Sequence, residues 1–125
     1  MRGLVQTCDH AGTSLIAQAE MAAALSRASR SNILSVKEAG SAWESFLKDW
    51  TSLSRLGLSR QVIERASQAA WEYSLRGYDA VHFASIMLWR EVLEAEVIFV
   101  TFDRELWTAG QQASLLLWPQ SPPGR

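Results

Sequence analysis

The six residues 97–102, Val-Ile-Phe-Val-Thr-Phe, are the part of the sequence that most constrains the fold. A continuous run of β-branched and aromatic residues is typical of a strand that is buried on both faces. Weaker strand patterns occur at residues 54–58 and 114–118, and residues 13–16 fit either a short strand or the start of a helix. The chain is therefore expected to contain a sheet with covered faces.

Segments with helical patterns separate these strands. The clearest is amphipathic, because its apolar residues recur at helical spacing: Val36, Ala39, Trp43, Phe46, Leu47 and Trp50. The predicted helices span residues 16–29, 35–53, 59–73, 78–93 and 103–112. Strands that alternate with helices predict an α/β fold, with a mostly parallel sheet and helices on both faces. Ligands of such folds bind outside the carboxyl ends of the strands.

Composition narrows the class of protein further. A length of 125 residues predicts one domain, at residues 1–118, and the proline-rich residues 119–125 predict a disordered tail. A formal net charge of −1 gives no strong global attraction to nucleic acid. The single cysteine excludes an intramolecular disulfide framework, the apolar runs are too short to span a bilayer, and no signal peptide is visible. We therefore expect a cytoplasmic protein without a membrane partner.

Three acidic residues stand where chemistry is expected. Glu20 has apolar neighbours three and four positions away, Asp79 begins a helix that is apolar on nearly all sides, and Asp103 ends the clearest strand. Each also has a purely structural interpretation. Glu20 is consistent with a solvent-exposed polar stripe on its helix, and each aspartate is consistent with the N-cap of a helix. Local sequence does not separate these alternatives.

Considered together, the three acids indicate a metal site. Each lies within about one turn of a helix start that follows a strand or turn, so one sheet edge is able to gather them. Converging carboxylates repel one another unless a cation neutralises them, and oxygen ligands favour Mg²⁺ or Mn²⁺ over Zn²⁺. Such an ion activates water for attack on phosphorus. The sequence has no Walker loop, serine-esterase elbow or zinc-binding motif.

Three segments resemble the PIN-domain ribonucleases of the VapC toxin type. Residues 13–20 are similar to the strand and helix that deliver the family's second acid. The Gly-Tyr-Asp-Ala motif within residues 75–84 is similar to the segment of the third acid, and Thr-Phe-Asp within residues 100–106 to that of the fourth. The resemblance implies a three-layer PIN fold and a ribonuclease that uses Mg²⁺ or Mn²⁺. Its catalytic residues would be Glu20, Asp79, Asp103 and Thr101, and the three acids would bind the metal.

The resemblance also implies partners. The substrate would be RNA. The candidates to bind its backbone are Arg27, Arg30 and Arg76, although each arginine is also consistent with an ordinary solvent-exposed position. A VapB-like antitoxin would inhibit the enzyme, and the chain would form a homodimer. These expectations together describe the toxin of a type II toxin–antitoxin system that cleaves RNA phosphodiester bonds.

The chain departs from the family pattern at its start. Family members open with a central strand that ends in the first acid, whereas only twelve residues precede Thr13 here, too few for a strand and a parallel crossover. Asp9 is a poor substitute, because it precedes the Thr13 segment and would lie at the opposite sheet edge. We therefore expect a domain without the family's first strand, and a true start upstream of Met1. Two alternative functions remain: a PIN remnant that only binds an antitoxin or partner, and an unrelated α/β binding module whose acids are caps.

Overall fold

A computed structural model describes residues 10–124 of the chain. Asp9, considered above as a substitute for the first acid, lies outside the described residues. The chain forms two compact units, Met1–Gly57 and Leu58–Arg125. Each unit is built from helices and one parallel pair of short strands. The α/β class and the parallel pairing predicted from the sequence are thus confirmed, whereas the three-layer arrangement and the missing central strand stay predictions.

The first unit is a crossover of two helices between two parallel strands. Strand β1 (Gly12–Ser14) pairs with β2 (Ser54–Leu56), with Gly12 opposite Ser54, and helices α1 (Ala17–Arg30) and α2 (Val36–Trp50) connect them. Helix α2 begins with a capping box. The Glu38 amide donates to the Ser35 hydroxyl at 3.0 Å, and the Glu38 carboxylate accepts from the Ser35 amide at 2.9 Å. This second bond lowers the pKa of Glu38.

The second unit has its core between two long helices. Helix α3 (Arg60–Tyr73) packs along α4 (Gly77–Leu93), and the link between them passes through Ser74 in the left-handed region, at φ 55°. Small residues allow the close approach, and one aromatic ring fills the centre. The main core residues of the two helices are Val62, Ala66, Ala69, Ala80, Phe83 and Ala84.

An ion pair on the outside also joins these two helices. The Arg65 guanidinium donates to both carboxylate oxygens of Glu91, at 2.6 and 3.2 Å. The bidentate hydrogen bonds lower the pKa of Glu91, because they favour its charged form. The pair therefore stabilises the packing of α3 against α4 at neutral pH.

Helix α5 (Arg104–Gln112) crosses between the two parallel strands of the second unit. These are β3 (Ile98–Val100) and β4 (Leu116–Trp118), with Phe99 opposite Leu117. Gly110 of α5 allows the close approach to both side chains. A Cβ at this position would lie 2.7 Å from Cδ2 of Leu117 and 3.1 Å from Cδ2 of Phe99.

The exposure of β3 differs from the sequence prediction. Phe99 is buried, whereas Ile98 is 40% exposed, so one face of the strand is covered rather than two. Helix α5 covers the face that carries Phe99. The ladder is also shorter than the six-residue run, because β4 offers three residues for pairing.

Residues 119–124 contact helix α5. The Trp107 indole donates to the Pro119 carbonyl at 2.8 Å, Arg104 donates to the Pro123 carbonyl at 3.2 Å, and Pro123 is buried. The expectation of a disordered tail considered helix and ladder bonding alone, and did not include these side-chain donors. Within residues 10–124, no helix is both long and apolar enough to cross a membrane.

Candidate metal centre

The start of α4 places Asp79 as the third residue of the helix. The N-cap position belongs to Arg76, which has extended backbone angles and makes no side-chain capping bond. Asp79 therefore lies within the first turn of the helix rather than at the cap that the structural interpretation predicted. It is half-buried, and the positive end of the helix dipole favours its carboxylate there.

Asp103 is the N-cap of α5. Its Oδ1 atom accepts a 2.9 Å hydrogen bond from the Leu106 amide, and its own amide donates to the Thr101 hydroxyl at 3.1 Å. The capping interpretation of Asp103 is thus correct. It does not exclude metal binding, because an ionised carboxylate has two oxygens and about four acceptor sites.

Thr101 is buried at the end of β3 and contributes to the geometry of this strand-to-helix turn. Its amide continues the ladder by donating to the Trp118 carbonyl at 3.2 Å. Its hydroxyl accepts the Asp103 amide on the other side. Thr101 therefore fixes the backbone of Asp103 relative to the sheet, as a positioning residue.

A third acid, Glu105, completes a cluster that the sequence analysis did not predict. One carboxylate oxygen each from Asp79, Asp103 and Glu105 lie within 4.8 Å of one another. Glu105 is the second residue of α5 and, like Asp103, is exposed. The signal in the sequence is its position two residues after Asp103, in the first turn of the same helix.

The donor set suits a hard divalent cation. Carboxylate oxygens bind Mg²⁺ at about 2.0–2.1 Å in octahedral geometry, which places two ligand oxygens about 3–4 Å apart. The three carboxylate oxygens lie within 4.8 Å of one another, which is close to this spacing. Three carboxylates leave other positions for water or a phosphate oxygen. The oxygen donors of Asp79, Asp103 and Glu105 therefore fit a hard divalent cation.

The remaining predicted site residues are described here by the segment that carries each of them. Glu20 is half-buried in the first turn of α1, in the first unit, so its role as a metal ligand stays a prediction. Arg27 and Arg30 are exposed in the last turn of α1, where a positive charge also suits the helix dipole. Arg76 is exposed and precedes α4 directly. The RNA contacts of the three arginines likewise stay predictions.

Comparison with known proteins identifies two close matches in sequence. The chain is 33% identical over 115 residues to "Ribonuclease VapC45" of Mycobacterium tuberculosis strain CDC 1551 / Oshkosh. It is equally similar to "Ribonuclease VapC49" of Mycobacterium tuberculosis strain ATCC 25618 / H37Rv. Each match covers 90% of this chain and 76% of the relative. No family model matches the chain.

Proposed function

The chain belongs to the family of VapC ribonucleases, and from that premise we propose that it is a metal-dependent endoribonuclease, the toxin of a type II toxin–antitoxin system. The observation that carries the proposal is the cluster of Asp79, Asp103 and Glu105 oxygens within 4.8 Å. Two of these three residues belong to the motifs that resemble the family's acidic segments.

The three carboxylates are proposed to hold Mg²⁺ or Mn²⁺. When bound, such an ion supplies a positive charge that activates water and neutralises charge on the phosphate. Asp103 also caps α5, so its carboxylate is held in one orientation by the Leu106 amide. Thr101 keeps that cap in register with the end of β3. The protein's own contribution is thus a group of oxygen donors at two helix N-termini, one of them held by a capping bond.

The partners follow from the same family. The proposed substrate is RNA in the cytoplasm, and the proposed inhibitor is a VapB-like antitoxin. A homodimer and contacts from Arg27, Arg30 and Arg76 to the RNA backbone are further parts of the proposal. Their support is the family membership and, for the arginines, surface exposure.

Asp79→Asn tests the proposal, because it removes the charge of one ligand and keeps the shape of the side chain. We expect the wild-type protein to cut RNA with Mg²⁺ or Mn²⁺ and to stop when the ion is chelated. Asp79→Asn should lose this cleavage and should bind the ion more weakly by titration calorimetry. The matched control is Glu96→Gln. Glu96 is an exposed acid that precedes β3, at the opposite end of this strand from Asp103.

Cleavage that survives Asp79→Asn unchanged would contradict the proposal. A wild-type protein that binds its antitoxin but cuts no RNA with either ion would favour the alternative, a partner-binding domain without nuclease activity. Unchanged ion affinity after replacement of the aspartates by asparagine would favour the cap-only interpretation, because asparagine caps a helix as well as aspartate.

A further inference from the structure

The segment that follows β4 lies against the helix that carries two of the three candidate metal ligands. Residues 119–124 contain three prolines, which have no amide hydrogen and so form no ladder bonds of their own. Two of the proline carbonyls accept hydrogen bonds from α5 instead. Pro119 accepts from the Trp107 indole at 2.8 Å, and Pro123 accepts from the Arg104 guanidinium at 3.2 Å. We call residues 119–124 the proline strap.

The proline strap contacts α5 on one face, near the start of the helix. Arg104 and Trp107 are three residues apart, which places their side chains on the same side of a helix. Trp107 is buried, and so is Pro123, whereas the neighbouring Pro122 is exposed. The strap is thus held by two hydrogen bonds and by the burial of one proline.

The position of Arg104 connects the proline strap to the metal site. Arg104 is the first residue of α5 and stands in the chain between the N-cap Asp103 and Glu105, which are both candidate ligands. A positive charge in the first turn of a helix is unfavourable with respect to the helix dipole. The dipole therefore does not explain an arginine at this position, whereas the hydrogen bond to Pro123 gives the side chain a structural role.

The first turn of α5 benefits from restraint outside the helix. Helix ends fray, because the first four amides have no partner within the helix, and α5 has only nine residues. The carboxylates of Asp103, Glu105 and Asp79 also repel one another when no cation is bound. Ligands that are ordered beforehand bind an ion more tightly, because binding does not have to order them.

We infer that the proline strap is a positioning element of the metal site. Through its bonds to Arg104 and Trp107, the strap keeps the first turn of α5 folded. That turn carries Asp103 and Glu105, so the strap orders two ligands before the ion binds. The inference rests on the proposed function, because it concerns the same site. It adds two positioning residues, Arg104 and Pro123, that act through the ligands and do not touch the ion.

Arg104→Met and Pro123→Gly weaken the proline strap in different ways. Methionine has no donor for the Pro123 carbonyl, and glycine removes the buried proline ring without a change of charge. The control for the first variant is Arg60→Met, because Arg60 is likewise the first residue after a helix N-cap but binds Glu64 of its own helix. The control for the second variant is Pro122→Gly, which loosens the same segment at an exposed position.

The affinity for Mg²⁺ is measured by titration calorimetry on the full chain. It should fall by about threefold or more in both strap variants and stay unchanged in both controls. The loss of a positive charge in Arg104→Met would by itself raise the affinity, so a fall in this variant identifies a loss of positioning. Pro123→Gly decides the question if Arg104→Met fails to fold. Unchanged or higher affinity in Pro123→Gly, whose charge is unaltered, would overturn the inference.

Hydrogen exchange measures the same effect without an ion. The Leu106 amide donates to the Asp103 carboxylate, and the Trp107 amide donates to the Asp103 carbonyl at 2.9 Å. Both amides should exchange faster in the two strap variants than in the wild type when no divalent cation is present. Exchange at the wild-type rate in both variants would show that the strap does not hold this turn.

The two measurements separate this inference from the proposed function. If the wild-type protein binds Mg²⁺ and cuts RNA, and the strap variants match its ion affinity, the strap is not a positioning element while the nuclease function remains supported. If the wild-type protein binds neither Mg²⁺ nor Mn²⁺, the proposed function fails, and hydrogen exchange decides the role of the strap. Faster exchange in both strap variants then supports a restraint on α5, and unchanged exchange overturns it.

Discussion

The hydroxyl of Thr101 accepts a 3.1 Å hydrogen bond from the amide of Asp103. The bond links the end of β3 to the N-cap of α5, because the Asp103 carboxylate in turn accepts the Leu106 amide at 2.9 Å. One buried hydroxyl thus holds the backbone of a candidate metal ligand at the end of the strand. Changes at Thr101 should therefore reach the metal site through the backbone.

Thr101→Val removes this acceptor at nearly constant volume. The lost hydrogen bond should lower the free energy of unfolding by about 0.5–1.5 kcal/mol, measured by urea denaturation. Because Asp103 loses one of its restraints, affinity for Mg²⁺ should fall as well, measured by calorimetry. Thr101→Ser, which keeps the hydroxyl, is the control and should retain the ion affinity. Equal ion affinity in the valine and serine variants would show that the hydroxyl does not position Asp103.

Asp103→Asn and Asp103→Ala separate the two roles of this side chain. Asparagine caps a helix as well as aspartate, whereas alanine leaves the Leu106 amide without its acceptor and costs about 1 kcal/mol. Both variants should lose Mg²⁺-dependent RNA cleavage, and the alanine variant alone should unfold at lower urea concentration. If the asparagine variant keeps full ion affinity, Asp103 acts as a cap and not as a ligand.

Part of the site follows from local sequence rules. Asp103 is predictable because a strand pattern ends immediately before it, and strand ends in α/β folds gather at one edge. Glu105 escapes the same rule, since an acid in the first turn of a helix is ordinary without any ligand. Its carboxylate lies close to that of Asp79 only because α4 packs against α5. This packing is a contact between residues that are far apart in the chain.

The strands illustrate the same division. The run at residues 97–102 predicts a strand from composition, but the length of β3 depends on its partner, which offers the three residues Leu116–Trp118. Strand pairing is a contact between distant segments of the chain, so an apolar run does not by itself specify how many of its residues pair. The burial of Phe99 beside the exposure of Ile98 likewise depends on which face α5 covers.

Gly110→Ala tests the close packing of α5 on the sheet. A Cβ would lie 2.7 Å from Cδ2 of Leu117, and the buried Phe99 ring, at 3.1 Å, restricts the room to move. Overpacking costs about 1–3 kcal/mol and exceeds the gain of up to about 1 kcal/mol from alanine's helix propensity. We therefore expect net destabilisation in urea.

A double-mutant cycle with Leu117→Ala identifies the cause of that loss. Removal of the Leu117 side chain makes room for the new methyl group, so the double mutant should lose less stability than the sum of the single mutants. Gly40→Ala is the control, because a Cβ at Gly40 meets no atom within 4 Å. Additive losses in the cycle would rule out a clash with Leu117.

Glu91→Gln tests how the Arg65 ion pair stabilises α4, the helix that carries Asp79. The guanidinium lowers the pKa of Glu91 in the folded protein, so the unfolded chain takes up this proton more readily. The stabilisation is therefore fully present above the unfolded pKa of about 4.3 and disappears as the pH falls through the lower folded pKa. At pH 7 the variant should melt at a lower temperature than the wild type, and the gap should close in acid. Added salt should narrow the difference in melting temperature at neutral pH, because a partly exposed ion pair is screened.

The control is Glu64→Gln. The partner of Glu64 is Arg60, which lies four residues away on the same helix, so this ion pair lies within one element. A melting-temperature gap for Glu91→Gln that is the same at pH 7 and in acid would mean that the charge of Glu91 does not stabilise the contact between α3 and α4.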